Sequence, residues 1–118
     1  MLALTGAPRI FLYRGPTDLR KSFDGLSGLV RPHFGEELYS ATFFVFVNRR
    51  RTLVKILYWD RDGLAVWAKR LERGTFRIPA AEEDRVELSA AELSMLLEGI
   101  TPRRMNRRYR RDAPAASA

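Results

Sequence analysis

The sequence predicts a small α+β domain in which an antiparallel β-meander packs against two helices. Three apolar segments separated by short polar turns follow one another over residues 42–70. Segments with apolar residues at helical spacing flank them, at residues 18–31 and 90–99. The 118 residues, 46% of them hydrophobic, suit a single domain with a real core.

The first strand and helix precede the meander. The segment "RIFLY" (9–13) reads as a strand that a glycine and a proline end. Thr17 or Asp18 is placed to cap the following helix, and Pro32 marks its end or a bend. One apolar stripe of this helix comprises Leu19, Phe23, Leu26 and Val30. The next segment, "GEELYSA", reads as a loop.

The meander begins with "TFFVFV" (42–47), which has apolar residues on both faces and is therefore predicted to be a central strand. The return strands are "TLVKILYW" (52–59) and "LAVWAKR" (64–70), joined by the turns "NRRR" and "DRDG". Two further short strands are expected at "TFRI" (75–78) and "RVEL" (85–88).

The second helix has clear boundaries. Ser89 and Glu92 form an S-x-x-E capping box. Gly99 suits the left-handed residue just past a helix end, and Pro102 follows it. The predicted buried stripe comprises Leu93, Leu96, Leu97 and Ile100.

The positive charge is unevenly spread along the chain. The net charge is +7, but residues 1–102 hold 15 basic and 13 acidic residues, a net of +2. Residues 103–118 hold six basic residues and one acidic residue, a net of +5. We therefore expect a domain over 1–102 and an Arg-rich tail over 103–118 that is disordered when free. A cationic tail on a near-neutral body favours a polyanion as partner, most often nucleic acid.

The composition excludes several kinds of site. There are no cysteines, so disulfides and thiolate metal sites are excluded, and a reducing cytoplasm is compatible. His33 is the one histidine, so a multi-histidine metal site is excluded, and a structural role is expected for it. No apolar run is long enough to span a membrane, and the first ten residues do not predict a signal peptide. No cofactor, small-molecule substrate or membrane partner is expected.

Two aspartates, Asp60 and Asp62, raise the question of an active site. They lie between two apolar strands that need a tight connection, beside Gly63, which tolerates positive φ. Part of a calcium loop has this pattern, but the remaining ligands are missing. A hairpin turn is therefore the favoured interpretation, and a small metal-dependent nuclease is the alternative. Trp59 and Trp67 are expected to be core aromatics.

The turn "NRRR" supports two interpretations equally. Arg49, Arg50 and Arg51 form either a solvated turn that blocks edge pairing or a finger that contacts phosphates. The meander is also expected to carry Lys55, Lys69 and Arg70 toward one side of the sheet.

The tail segment "RRMNRRYRR" has six arginines in nine positions. A solubilising extension is the simplest interpretation. Arg-rich segments also fold on nucleic acid, and Tyr109 is suited to stack on a base, so nucleic-acid contact is favoured. The tail residues assigned to this contact are Arg103, Arg104, Arg107, Arg108, Arg110 and Arg111.

The chain resembles the TnpB-type accessory proteins encoded by insertion sequences of the IS-sixty-six family. Four segments carry the resemblance, which covers about residues 9–100: "TDLRKSFDGL", "FVFVNRRR", "VKILYWDRDGLAVWAKRLERGTF" and "LSMLLEGI". In that family a tryptophan commonly occurs soon after the last of these segments, whereas in this chain the segment is followed by Thr101. These proteins are distinct from the larger RNA-guided nucleases that share the label TnpB.

The resemblance implies a non-catalytic accessory role in DNA transposition, with the cutting and joining done by a separate transposase. The expected partners are DNA, the transposase and another accessory protein of the same element, in the bacterial cytoplasm and with the nucleoid when bound to DNA. The alternative is a protein–protein interaction module with only nonspecific DNA affinity. Arg49, Arg50, Arg51 and the tail arginines are the leading DNA-binding candidates. The second rank comprises Arg20, Lys21, Lys69, Arg70 and Arg73.

Overall fold

The computed structural model describes residues 8–99. Five strands form one sheet. One α-helix follows the first strand, a short 3₁₀ helix precedes the second strand, and a second α-helix follows the fifth strand. The elements in chain order are β1 (Arg9–Tyr13), α1 (Phe23–Phe34), the 3₁₀ helix (Gly35–Tyr39), β2 (Thr42–Val47), β3 (Leu53–Asp60), β4 (Gly63–Arg70), β5 (Arg85–Leu88) and α2 (Ala90–Leu97). The predicted α+β class is confirmed.

The strand order across the sheet is β4-β3-β2-β1-β5. β2, β3 and β4 form the predicted antiparallel meander. β1 lies parallel to β2, which is possible because α1 carries the chain back across one face of the sheet. β5 pairs antiparallel with β1 and forms the second edge. β2 is central, as predicted, and all six of its residues are buried.

Both faces of the sheet are covered by apolar side chains. On one face, α2 packs its buried leucines, Leu93 and Leu96, against alternate residues of all the inner strands. On the other face, α1 and the 3₁₀ helix bury Leu26, Val30 and Leu38 against Phe44. The alternation of side chains along each strand supplies both cores, so β2 has no polar face.

α1 begins later than the sequence predicts. It starts at Phe23, and the residue before it, Ser22, makes no side-chain capping bond. Asp18 instead accepts a 3.1 Å hydrogen bond from the backbone N–H of Arg20, in a turn that precedes the helix. Pro32 does not end the helix, because the backbone N–H of Gly35 still bonds to a carbonyl in the last turn.

The predicted stripe of α1 is wrong at its N-terminal half. Phe23 is 45% exposed, whereas Leu26 and Val30 are fully buried. Leu19 is buried but enters the core from the turn before the helix. Gly25 allows the chain to turn back closely here, since a Cβ at this position would lie 2.9 Å from the Cβ of Lys21.

α2 follows its sequence signals. The side chain of Ser89 accepts a hydrogen bond from the backbone of Glu92, whose carboxylate accepts one from the backbone of Ser89. The helix ends at Leu97, two residues before the predicted end. Gly99 has a φ of +84°, as predicted, and Ile100 lies outside the described residues.

The predicted strand at residues 75–78 is wrong. Phe76 is buried on the α2 face, and its backbone N–H donates to the carbonyl of Arg51 instead of to a neighbouring strand. The guanidinium group of Arg14 donates to the carbonyl of Pro79 and holds the next part of the loop. The predicted loop "GEELYSA" contains the 3₁₀ helix. Among the described residues, no helix is long and apolar enough to cross a membrane.

Candidate nucleic-acid interface

The turn between β2 and β3 is organised by the side chain of Asn48. Its Oδ1 accepts hydrogen bonds from the backbone N–H groups of Thr52 (2.9 Å) and Leu53 (3.1 Å), and its Nδ2 donates to the hydroxyl of Thr52 (3.2 Å). The carbonyl of Asn48 also accepts from the backbone N–H of Arg51, whose φ is +60°. A single asparagine therefore fixes the backbone that presents Arg49 and Arg50.

The segment that follows β4 braces this turn from one side. The backbone N–H of Leu71 donates to the carbonyl of Thr52 (2.8 Å), and that of Phe76 donates to the carbonyl of Arg51 (2.7 Å). Arg73 lies between these two anchor points, and Arg77 comes directly after the second. The fold thus brings arginines from two separate segments to the same end of the sheet, where β2 and β3 are joined.

These arginines carry uncompensated positive charge. Arg49, Arg50, Arg51 and Arg73 are all exposed, and none of their side chains has a carboxylate partner within residues 8–99. We refer to these four residues as the arginine cluster. An exposed guanidinium without an internal partner is able to exchange its water for a phosphate in bidentate geometry.

A groove runs along one side of the arginine cluster. It is lined by the turn before α1 and by the β2–β3 turn, with Thr17, Asp18, Leu19, Arg20, Asn48, Arg49, Arg50 and Leu53 as its lining residues. Arg20 is not free in this groove, because its guanidinium pairs with both oxygens of Asp18 at distances of 2.7–3.2 Å. The same contact lowers the pKa of Asp18 well below its usual range. Lys21 lies beside the groove with its side chain exposed.

The expectation that Lys55, Lys69 and Arg70 share one side of the sheet is wrong. Lys55 and Arg70 lie on the α1 face, whereas Lys69 lies on the α2 face, because neighbouring residues of a strand point to opposite faces. The ammonium group of Lys69 donates to the carbonyl of Leu97 at the end of α2. That of Lys55 donates to the carbonyl of Lys21. Both lysines thus make internal bonds.

Two residues contribute to this end of the sheet in addition to those that the sequence predicts. The sequence predicts only that Asn48 belongs to a turn, because its three side-chain hydrogen bonds form only in the folded hairpin. Arg77 is exposed next to the buried Phe76, and its assignment to a strand hid its position beside the turn.

Comparison with known proteins assigns the family. Residues 8–107 match the family described as IS66 Orf2 like protein. The chain belongs to this family. It is similar to two uncharacterized proteins of Sinorhizobium fredii: y4hO is 36% identical over 92 residues, which cover 78% of this chain and 80% of the relative. The second, y4jC, is 31% identical over 100 residues, which cover 85% and 86%. No solved structure matches the chain.

Membership of the IS66 Orf2-like family confirms the resemblance seen in the sequence. The family implies an accessory role in the transposition of an insertion sequence, and it is not a known enzyme family.

The aspartates of the IS66 Orf2-like chain occupy a hairpin turn, as the favoured interpretation predicts. β3 ends at Asp60, β4 begins at Gly63, and both Asp60 and Asp62 are exposed. The residue with positive φ is Arg61 (+58°), not Gly63, and its carbonyl accepts a hydrogen bond from the indole of Trp59. No group of three potential metal ligands exists among the described residues.

The aromatic residues divide between the core and the surface. Trp67 packs partly buried against the α2-side core, as predicted. The prediction that Trp59 is a core aromatic is wrong, because this residue is half-buried outside both cores and its ring meets that of Tyr39 edge-on at 5.2 Å. Tyr39 is 47% exposed, and its hydroxyl accepts a 2.8 Å bond from the guanidinium of Arg31. His33 is exposed near the end of α1.

The six tail arginines lie outside the described residues, as does the predicted boundary between residues 102 and 103. The chain continues into the tail from Gly99, which follows α2. Because the end of α2 is bonded to Lys69, and the neighbouring Arg70 lies opposite Leu53, Gly99 lies toward the same end of the sheet as the β2–β3 turn.

Proposed function

We propose that this protein is a non-catalytic accessory factor in transposition that holds DNA through the arginine cluster while it binds the transposase. The family supplies the accessory role. The observation that carries the DNA-binding part is the arginine cluster, because its four exposed guanidinium groups have no carboxylate partner among residues 8–99 and lie on the β2–β3 turn and on the segment that braces it. In the bacterial cell such a protein would lie with the nucleoid when bound to DNA.

The contacts proposed for the cluster are with phosphates. Arginine binds phosphate bidentately, and such contacts set the position and orientation of a protein on a duplex without reading its sequence. Lys21 extends the cluster at its margin. Arg20 and Lys69 contribute less than the sequence suggests, because Asp18 and the end of α2 already occupy them. The tail arginines are proposed to add further phosphate contacts from the adjacent exit point.

The proposal is tested by DNA binding across a salt series. Full-length protein is compared with a variant in which Arg49, Arg50 and Arg51 are all glutamine, and with a second variant in which the six tail arginines are glutamine. Each duplex carries either the terminal repeats of the element or a scrambled sequence. The triple variant is expected to bind at least about tenfold more weakly, and its slope of log affinity against log salt falls by about 2–3.

The two variants separate the body from the tail. Preference for terminal repeats that survives in the tail variant would place sequence reading in the folded body. Binding that is indifferent to sequence and lost with the tail arginines would remove the DNA role from the β2–β3 turn. In each case, far-ultraviolet circular dichroism of the variant shows whether the fold is intact.

A second candidate function is a protein-interaction module, favoured by the surface formed by Arg31, Tyr39 and Trp59. Tyr39 and Arg31 are exposed, Trp59 is half-buried, and contacting tyrosine, tryptophan and arginine side chains of this kind are typical of the residues that dominate protein interfaces. Tyr39→Ser is expected to weaken binding of the purified transposase of the same element and to leave DNA binding unchanged. Loss of transposase binding in Tyr39→Ser, with wild-type binding in the arginine variants, would assign these surfaces to different partners.

A further inference from the structure

The outer side of β4 is an open sheet edge. β4 pairs with β3 alone among the described residues, and no other backbone hydrogen bond of residues 8–99 reaches Gly63–Arg70. Every second residue of such a strand directs its N–H and C=O groups outward, where they are available to another strand. With eight residues, β4 presents a row long enough for a stable pairing.

The edge also lacks the features that usually block pairing. Its first six residues, "GLAVWA", carry no charge and no proline, and the register with β3 runs without a bulge. Charges appear only at its end, in Lys69 and Arg70. The opposite edge, β5, is protected in the usual way, since it has four residues and carries Arg85 and Glu87. The contrast singles out β4 as the edge that is built for a partner strand.

We propose that β4 pairs antiparallel with β4 of a second copy of this chain and forms a continuous ten-stranded sheet. The argument for a second copy is the self-complementarity of the strand. When Val66 lies opposite Val66 of the other copy, Arg70 at the end of one strand lies beside Asp62, the turn residue that precedes Gly63 in the other copy, so two symmetric ion pairs flank the junction. In the same register Trp67 lies opposite Ala65.

The remaining pair fits the same pattern, because Leu64 lies opposite Ala68. Leu64 and Trp67 are therefore each matched with an alanine of the second copy, Val66 faces its own counterpart, and no like charges face each other. Arg70 and Val66 lie on the α1 face together with Leu64. A two-fold axis perpendicular to the sheet keeps this face on one side in both copies, as a continuous sheet requires.

This pairing has a consequence for the arginine cluster. Antiparallel strands run in opposite directions, so the two copies present their β2–β3 turns at opposite ends of the joined sheet. Such a dimer has one basic turn at each end of the joined sheet. The pairing itself depends only on β4 and does not require the proposed DNA function, so its test uses protein without DNA.

The first test is the mass of the full-length chain in solution. Sedimentation velocity at tens of micromolar protein is expected to give twice the chain mass of 13.6 kDa. A monomer under these conditions would overturn the proposal, and the edge would then be covered by another part of this chain or by a strand of a different protein. Light scattering at the same concentrations provides an independent mass.

The second test locates the junction by cysteine cross-linking, which is direct because the chain has no cysteine. Val66→Cys is expected to form a disulfide-linked dimer under mild oxidation. Leu64→Cys alone is expected to form little, whereas a mixture of Leu64→Cys with Ala68→Cys forms the mixed dimer. Arg85→Cys on β5 is the matched edge control. Cross-linking of this control as efficiently as that of Val66→Cys would overturn the assignment to β4.

The third test exchanges the charges of the flanking pair. Arg70→Asp and Asp62→Arg each place two like-charged pairs at the junction, and each is expected to raise the dimer Kd by about tenfold. The double variant restores opposite charges and is expected to return the Kd close to that of the wild type. Both residues are exposed, so the fold tolerates the changes. Failure of the double variant to recover would contradict the register.

Discussion

The ammonium group of Lys69 donates a hydrogen bond of 2.9 Å to the carbonyl oxygen of Leu97, the last residue of α2. This contact joins β4 to the end of a helix whose last carbonyls lack partners within the helix and carry a partial negative charge. A lysine that the sequence offers as a phosphate ligand is therefore part of what fixes α2 on the sheet.

The loss of this contact is expected to lower stability. Lys69→Met should reduce the free energy of unfolding by about 1 kcal/mol, because a helix end loses both a hydrogen bond and a favourable charge. Arg50→Met, which removes the same charge from an exposed side chain, should change it by less than about 0.5 kcal/mol. Urea denaturation followed by circular dichroism measures both, and equal effects would contradict the structural role of Lys69.

The capping box of α2 predicts a second stability effect. Ser89→Ala removes the acceptor for the backbone N–H of Glu92 and should cost about 1 kcal/mol. Ser94→Ala is the matched control inside the same helix, where alanine is the better helix former and a neutral or slightly stabilising result is expected. Thermal and urea unfolding measure the stability of both variants. A loss of stability in Ser94→Ala as large as that in Ser89→Ala would contradict the capping role of Ser89.

Two arginines at opposite ends of β3 allow a matched test of the arginine cluster. Arg51 and Arg61 are both exposed turn residues with φ near +60°, a conformation that asparagine tolerates. Arg51→Asn is expected to weaken DNA binding several-fold and to reduce the salt slope by about 0.9, the loss of one phosphate contact. Arg61→Asn, with the same charge change, should have a clearly smaller effect in fluorescence anisotropy titrations. Equal losses would indicate that net charge alone controls binding.

The carboxylate of Asp18 is expected to oppose DNA binding. It lies in the groove beside Arg49 and neutralises Arg20. Asp18→Asn removes a negative charge and releases the guanidinium of Arg20, so binding should tighten by about two- to tenfold and become more sensitive to salt. Asp84→Asn makes the same charge change outside this groove. A tightening as large in that control would refute a local effect of Asp18.

The pair also predicts a pH dependence. The guanidinium of Arg20 holds the pKa of Asp18 well below its usual range, because it bonds to the ionised form. The stabilisation that this ion pair gives to the folded chain is therefore fully present above the ordinary aspartate pKa of about 4. It is lost as the pH falls through the lowered pKa of Asp18. Carboxyl carbon NMR should show Asp18 titrating below the ordinary aspartate pKa of about 4. In Arg20→Gln its pKa should rise toward the ordinary value, and an unchanged pKa would contradict this cause.

Local signals in the sequence predicted α2 and the meander closely. The capping box of Ser89 and Glu92 and the left-handed Gly99 act within a few residues, so no distant contact is needed to interpret them. The burial of β2 on both faces is also visible in its unbroken apolar run. The turn interpretation of Asp60 and Asp62 followed from the same short-range chemistry.

Elements whose partners are distant in sequence were predicted less well. The segment around Phe76 has the composition of a strand, but its backbone bonds to Arg51 and its side chain fills the α2-side core. Phe23 has the right spacing for a core stripe, but the preceding turn shifts the start of α1 and leaves it exposed. In both cases tertiary contacts outweighed local preference.

By itself the sequence determined the class of fold, the family and the excess of arginine, because composition, periodicity and capping depend on neighbouring residues. The tertiary structure decided that β1 runs parallel to β2 and that Lys69 is bound to a helix end. It also brought Arg73 to the end of the sheet that carries Arg49, Arg50 and Arg51. The physical reason is that these relationships join residues far apart in the chain. The relative positions of these residues are set only when the strands pair and the helices pack on the two faces of the sheet.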